Sequence, residues 1–304
     1  VSGYAKVVAD SLSEYGQRLT TFEVRFHRFV LAEFNTHRMF SRNSASSRAI
    51  PVTRQIENIM RAPAYPLKWP GEQKGMQGGE DVTDERAAQD EWHEAAMEAV
   101  WHAQNLVGQK VHKSVVNRLL EPFMWHTVVV TATGWENFFD QRCSPLAQPE
   151  IKHAAEQMRV AYAASKPLNV YEGEWHLPYA DDDETCQAVE NDIGFEDIDD
   201  FWRTHAEISA ARCARVSYKP FDSDTADPEA DLSLYTRLTA ADPAHWSPLE
   251  HVATPWKKNR QKRALTFGDR YTVPTDHLPR VGNLVGWRSL RTTVETQRKV
   301  TTYR

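Results

Sequence analysis

The densest set of chemistry-bearing side chains lies at Thr36–Arg48, THRMFSRNSASSR, where one His, three Arg, four Ser and one Asn share thirteen positions. Arg grips a phosphate or carboxylate through a planar fork of N–H donors, and Ser adds neutral donors at short range. The segment therefore has the makings of an anion site. A solvated turn capped by its own hydroxyls has the same composition, and on this segment alone both readings stand.

Three further stretches carry chemistry. Arg118–Ile151 holds Arg118, Pro122, Asn137, Arg142 and the run Ala147-Gln148-Pro149-Glu150-Ile151; Cys213–Tyr218 reads CARVSY; His245–Val252 reads HWSPLEHV. Taken singly, Arg118 and Arg142 also suit a pair of surface helix arginines. Ser247 with Glu250 three residues on suits a helix start with Ser as its cap. Trp287–Arg291 would present two Arg from a helix. His93-Glu94 lacks the second His of HExxH, because Met97 occupies that place, so a zinc-protease helix is excluded. Neither GxGxxG nor GxxxxGK[ST] occurs, which leaves a Rossmann-type flavin or phosphate loop unsupported.

In order, these residues resemble the flavin-dependent thymidylate synthases. In that family's signature RHR is followed by a Ser, an Asn-Glu pair, a Ser and an Arg. Here His37, Arg38, Ser41, Asn43, Ser46 and Arg48 fall at matching positions, with Thr36 in place of the first Arg and Ser44 in place of the Glu. The second stretch is similar to the family's Arg, its Leu-Pro region, its Asn-rich helix ending in Arg, and AQ-x-EI; Thr131 and Leu146 stand where the family has Asn and His. CARVSY resembles its ARVS segment and HWSPLEHV its H-x-[ST]-P-F-E-H block. Those two blocks precede RHR in the family and follow it here, the order of a circular permutation, which is tolerated where termini lie close together on the surface.

The resemblance implies an α/β (α+β) fold with a mostly antiparallel sheet and long helices, assembled as a homotetramer with shared active sites. It implies that His37, Arg38, Asn137, His245 and Ser247 bind FAD. Ser44, Ser46, Arg48 and Arg118 take substrate positions, and Arg142 lies beside N3 of the pyrimidine as a substrate-binding and catalytic group. The implied reaction transfers a one-carbon unit from methylenetetrahydrofolate to C5 of a deoxypyrimidine monophosphate, dUMP to dTMP, with FAD and NADPH and without a cysteine nucleophile. Ser44 in place of Glu, with Glu33 and Thr36 near the expected substrate edge, brings forward hydroxymethylation of dUMP or dCMP as an alternative. A flavin-free nucleotide-binding or assembly protein on the same scaffold is a further one.

The elements that must position these residues are partly legible. Thr20–Phe26 is β-branched and aromatic and reads as a strand; Phe29–His37 reads as a short helix feeding a turn over Arg38–Arg48. Residues 62–82, rich in Pro and Gly, read as a surface insertion in a single domain over 1–304. Glu85 to about Leu120 has helical periodicity with a break at Gly108, and Pro149 opens another helix. The acidic stretch Asp181–Asp200 reads as a surface loop or short helix, Phe201–Val216 as a patterned stretch, and Asp222–Asp231 as a polar loop.

With 41% hydrophobic and 26% charged residues, the 304-residue chain has an ordinary globular composition, and no apolar run approaches membrane-spanning length. A formal charge of −6 argues against a general grip on polymeric nucleic acid, and the basic run Lys257–Arg263 reads as a solvated face. Three Cys without a CxxC pair suggest neither a disulfide framework nor a zinc site. With no signal-like start, the expected location is the cytoplasm.

Overall fold

A computed structural model describes residues 3–75, 77–217, 227–256 and 280–302. The basic run Lys257–Arg263, Tyr218 and residues 222–226 of the polar loop lie outside the described residues. β1 (Tyr4–Ser13) and β2 (Arg18–His27) form an antiparallel hairpin, whose turn is closed by Gly16 N–H donating to the Ser13 carbonyl at 2.8 Å. Gly16 sits at φ 77°, a conformation glycine adopts without a Cβ clash. Next come α1 (Leu31–Asn35), β3 (Ser41–Ser44), α2 (Val52–Arg61), α3 (Glu85–Gly108), α4 (Lys113–Leu120), β4 (Trp125–Ala132), α5 (Glu136–Arg142), α6 (Pro149–Ala164) and β5 (Leu168–Val170). The strand order is β3-β4-β2-β1-β5, antiparallel except for the β1–β5 pair, which is the mostly antiparallel sheet expected.

The two-residue period of β2 and β4 decides what covers each face. Phe22, Val24 and Phe26 with Val128, Val130 and Ala132 pack on Phe34, Phe40, Trp135 and Phe138 and on Ile151, Ala154, Ala155 and Met158 of α6. The alternate residues face the C-terminal half of the chain: Leu19 packs with Val170, Ala253, Leu284 and Trp287, and Val129 with Cys213 and Val216. That half contains α7 (Asp183–Ala188), α8 (Ile198–Ala214), α9 (Pro228–Ala240), β6 (Ala253–Pro255), β7 (Arg280–Val281), β8 (Leu284–Val285), β9 (Trp287–Ser289) and α10 (Leu290–Thr302). Burying a large apolar side chain is worth about 1.5–3 kcal/mol, so both halves are held to the sheet by many small gains. A further apolar cluster joins α2, α3 and α4 through Ile59, Val100, Ala103, Val116 and Leu120.

One polar thread crosses the second face. Ser11 Oγ lies 2.8 Å from His176 Nδ1, His176 Nε2 2.7 Å from Thr21 Oγ1, Thr21 Oγ1 2.6 Å from Thr131 Oγ1, and Thr131 Oγ1 2.8 Å from His251 Nδ1. All five residues are buried, and burial lowers both imidazoles to about 3, so each bonds as the neutral ring. The thread pins the HWSPLEHV block to the sheet.

Three local expectations are corrected. The Arg38–Arg48 turn contains a strand, because Ser41–Ser44 finds an open ladder on β4, with Asn43 opposite Val129. Ser247 does not cap a helix: Ser247–Glu250 is a single 3-10 turn whose cap residue, Trp246, makes no side-chain bond to it. Trp287–Ser289 is strand rather than helix, pairing with Ala253–Pro255, so Arg288 and Arg291 fall on different elements. Among the described residues of the 62–82 stretch no helix or long strand forms. It is tied down by the Ala64 N–H to the Phe123 carbonyl and by the Leu67 N–H to buried Glu150.

Candidate active site

The edge strand β3 and the turn after it line a cleft of about 890 Å³, within the range of small-molecule sites. Asn43 is its organising residue. Lying opposite Val129, it shares the sheet face of Cys213, and its Nδ2 donates to the Cys213 carbonyl at 2.8 Å. Its Oδ1 is thereby left to accept from Ser247 Oγ at 3.1 Å. Because that hydroxyl proton is spent on Asn43, the 3.2 Å contact between Ser247 Oγ and His245 Nε2 requires the imidazole N–H to donate. Residues separated by two hundred positions in the chain thus meet at one amide.

Beyond β3, the Ala49 and Ile50 N–H groups donate to the Ser46 carbonyl at 2.9 and 3.2 Å, and the Arg48 N–H reaches Ser46 Oγ at 3.3 Å. Helix α4 holds this turn from behind. Lys113 and Asn117, four residues apart on one face, donate to backbone carbonyls: Lys113 Nζ to Ala49 at 2.8 Å, and Asn117 Nδ2 to Ser47 at 2.6 Å and Ile50 at 3.0 Å. Among the described residues, the cationic side chains of Arg28, Arg42, Arg48, Lys113 and Arg118 line the cleft. Such a surplus of positive charge suits a phosphate-bearing ligand.

A second cluster lies at the other end of the signature. Arg142, closing α5, donates from Nε to His37 Nε2 at 2.9 Å, and from Nη2 to Thr36 Oγ1 at 2.9 Å and the Glu33 carbonyl at 3.2 Å. His37 packs its ring near-parallel to Phe40 at 5.7 Å and edge-on to Phe138 at 4.9 Å. Burial, then the charges of Arg142 and Arg42, lower its pKa to about 4. It is therefore a neutral ring that accepts at Nε2 and carries its proton at Nδ1.

The structure thus brings Ser44, Ser46, Arg48, Arg118, His245 and Ser247 together in the cleft and places His37 and Arg142 in the neighbouring cluster, outside its lining. Arg38 and Asn137 are exposed and belong to neither. Sequence reasoning counted Arg42 among the three Arg of the Ser/Arg segment without giving it a role of its own, and passed over Arg28, Lys113 and Asn117. Of these three, Asn117 carried a signal, a polar residue beside Arg118 within the otherwise apolar stretch Val115–Leu120. Among the described residues no cysteine lines the cleft, and burial raises the Cys213 thiol well above its ordinary value.

Residues 14–167 match the family model of the thymidylate synthase complementing protein. No curated protein matches the chain. Among solved structures, the UMP/dUMP methylase PolB from Streptomyces cacaoi bound with 5-Br dUMP is 17% identical, with a TM-score of 0.42 over 53% of this chain and 90% of that one. The same protein bound with 5-Br UMP gives 17% and 0.41 over 53% and 89%. Cys213 and Ser247 lie beyond the family match, and the fold returns both to Asn43 within it. With just over half of its length matched, signature and both arginine helices included, this chain belongs to the thymidylate synthase complementing protein family.

Proposed function

We propose that this nucleotide-modifying enzyme attaches a one-carbon unit to C5 of a deoxypyrimidine monophosphate, converting dUMP to dTMP. The observation that carries the reading is the convergence of the signature, ARVS and HWSPLEHV blocks on Asn43 beside a cleft lined by cations. In this reading Ser46 and Arg48 grip the phosphate, aided by Arg118 from α4. Ser44 lies along the nucleotide. Arg142, already aligned by Thr36 and the Glu33 carbonyl, supplies fixed positive charge for the base as negative charge develops on it. Its guanidinium also keeps His37 in one tautomer.

The donor set also suits FAD, whose pyrophosphate needs cations beyond those that hold a nucleotide monophosphate. Arg42, with His245 and Ser247 nearby, remains for it after Arg48 and Arg118 are assigned. His245 and Ser247 would hold the flavin from the cleft, His37 from the adjoining cluster, and exposed Arg38 and Asn137 from the surface, completed by neighbouring subunits of a homotetramer. When bound, reduced FAD supplies the reducing equivalents and the route for the carbon from methylenetetrahydrofolate, with NADPH as the reductant. The chain's own part is to fix the nucleotide at both ends and to stabilise charge on its ring.

One observation favours a second product: Ser44 lines the cleft where the family signature has Glu, removing a carboxylate from the substrate edge. Mass spectrometry of the nucleotide, after incubation with dUMP or dCMP, FAD, NADPH and methylenetetrahydrofolate, tests the reading. A methylated dUMP supports it, a hydroxymethyl product moves it to the second, and unchanged nucleotides in every mixture overturn both.

A further inference from the structure

The cleft contains a carboxylate-bound cation that neither the signature nor the reading above assigns. Arg28 follows β2 directly, and its side chain is 14% exposed and lines the cleft. It is held on three sides. Its backbone N–H donates to the Met124 carbonyl at 2.9 Å, Nη2 donates to Glu121 Oε1 at 3.0 Å, and Nη1 lies 3.2 Å from His126 Nδ1. His126 is buried and kept uncharged, its pKa lowered to about 3 first by burial and then by Arg28 itself, so it accepts from the guanidinium rather than repelling it. These contacts use two of the five N–H donors of an arginine.

Glu121 does more than neutralise Arg28. The same Oε1 accepts from Arg118 Nη1 at 2.7 Å and from Ser47 Oγ at 2.7 Å. One carboxylate oxygen therefore links the residue that follows β2, the Ser/Arg turn and α4. A negative charge beside an anion site weakens the pull on any anion. Its placement makes sense if orientation matters more than raw attraction: Glu121 sets Arg28 and Arg118 at a fixed spacing, which suits one ligand geometry and penalises others.

We propose that Arg28 contacts the phosphate of the bound nucleotide, and that Glu121 is a positioning residue that holds Arg28 and Arg118 in register for it. The inference rests on the nucleotide reading of the cleft. It makes Arg28 a specificity-determining residue for phosphorylated over unphosphorylated substrate.

Equilibrium titration of dUMP, deoxyuridine and inorganic phosphate against the parent and four folded variants tests it. Arg28→Ala should weaken dUMP by about ten- to a hundredfold, as for other charge-assisted bonds, and leave deoxyuridine unchanged. Arg28→Lys keeps the charge but cannot bond Glu121 and His126 together, so it should fall with the alanine variant. Glu121→Ala removes a negative charge and should bind inorganic phosphate as well as or better than the parent, while its preference for dUMP over phosphate drops about tenfold. Glu121→Gln keeps an acceptor and should retain most of that preference. Parent-like dUMP affinity in Arg28→Ala, equal losses for dUMP and deoxyuridine, or an unchanged dUMP-to-phosphate ratio in Glu121→Ala would overturn the proposal. A parent that binds phosphate but no dUMP would sink the nucleotide reading alone. Arg28 is then judged on phosphate, where a tenfold loss in Arg28→Ala supports its anion role and no loss overturns it. A parent that binds neither sinks both.

Discussion

Replacing Asn43 by Ala removes a side chain that joins the signature, ARVS and HWSPLEHV blocks. Two bonds are lost, to the Cys213 carbonyl at 2.8 Å and from Ser247 Oγ at 3.1 Å. Their consequences differ. Cys213 is fully buried and its carbonyl is left without this donor, a loss of about 1–3 kcal/mol; the Ser247 hydroxyl keeps His245 as a partner, so that bond is worth about 0.5–1.5 kcal/mol. The expected total is about 2–4 kcal/mol. A double-mutant cycle with Ser247→Ala, read by urea unfolding, isolates the second bond. Each single variant breaks it, so the double variant should be less destabilised than the sum by about 1 kcal/mol. The same pair should also couple in nucleotide affinity, since Asn43 and Ser247 both line the cleft. Additive stabilities, or an Asn43→Ala protein as stable as the parent, would refute the role given to this amide.

Two further outcomes follow from the charges. His126, His176 and His251 have folded pKa values near 3 against about 6.5 in the unfolded chain, so the unfolded state binds more protons between those values and stability is lost as pH falls from 6.5 toward 3. By pH 5 each contributes a loss of about 2 kcal/mol; Glu207, raised by burial to about 7, works in the opposite direction by about 2 kcal/mol, so these four groups together give a net loss on the order of 4 kcal/mol, to which His37, lowered to about 4, adds in the same direction. Urea unfolding that gives equal or greater stability at pH 5 than at pH 7 would contradict this. Arg142→Lys keeps a charge but not the fork that serves His37, Thr36 and the Glu33 carbonyl. Single-turnover rates should fall about tenfold or more while nucleotide affinity changes little, and weakened binding at unchanged turnover would move Arg142 out of the chemical step.

What could be read in advance followed local rules. The β-branched and aromatic run at Thr20–Phe26 needed no partner to declare itself a strand, and Gly108 and Pro149 mark helix ends by their own backbone chemistry. β3 is different, because Ser41–Ser44 has poor strand propensity and is extended only by the ladder that β4 offers. Ser247 reads locally as a cap, yet its hydroxyl is claimed by Asn43, which no local pattern reveals. Arg28 and Glu121 sit at element ends, ninety-three residues apart, so their pairing exists only in the folded chain. The family resemblance placed the Ser/Arg cleft because it carries such distant pairings implicitly. It named neither Arg28 nor the thread from Ser11 to His251.

We propose above that the cleft along β3 binds dUMP by its phosphate and substitutes the ring at C5. Substitution at that carbon must expel its hydrogen, so dUMP tritiated at C5 reports the event whichever product forms. With FAD, NADPH and methylenetetrahydrofolate present, the parent protein should release tritium to water, and Arg48→Ala at subsaturating nucleotide should release it about ten- to a hundredfold more slowly. Tritium retained in the nucleotide, or released equally fast by Arg48→Ala, would contradict the claim.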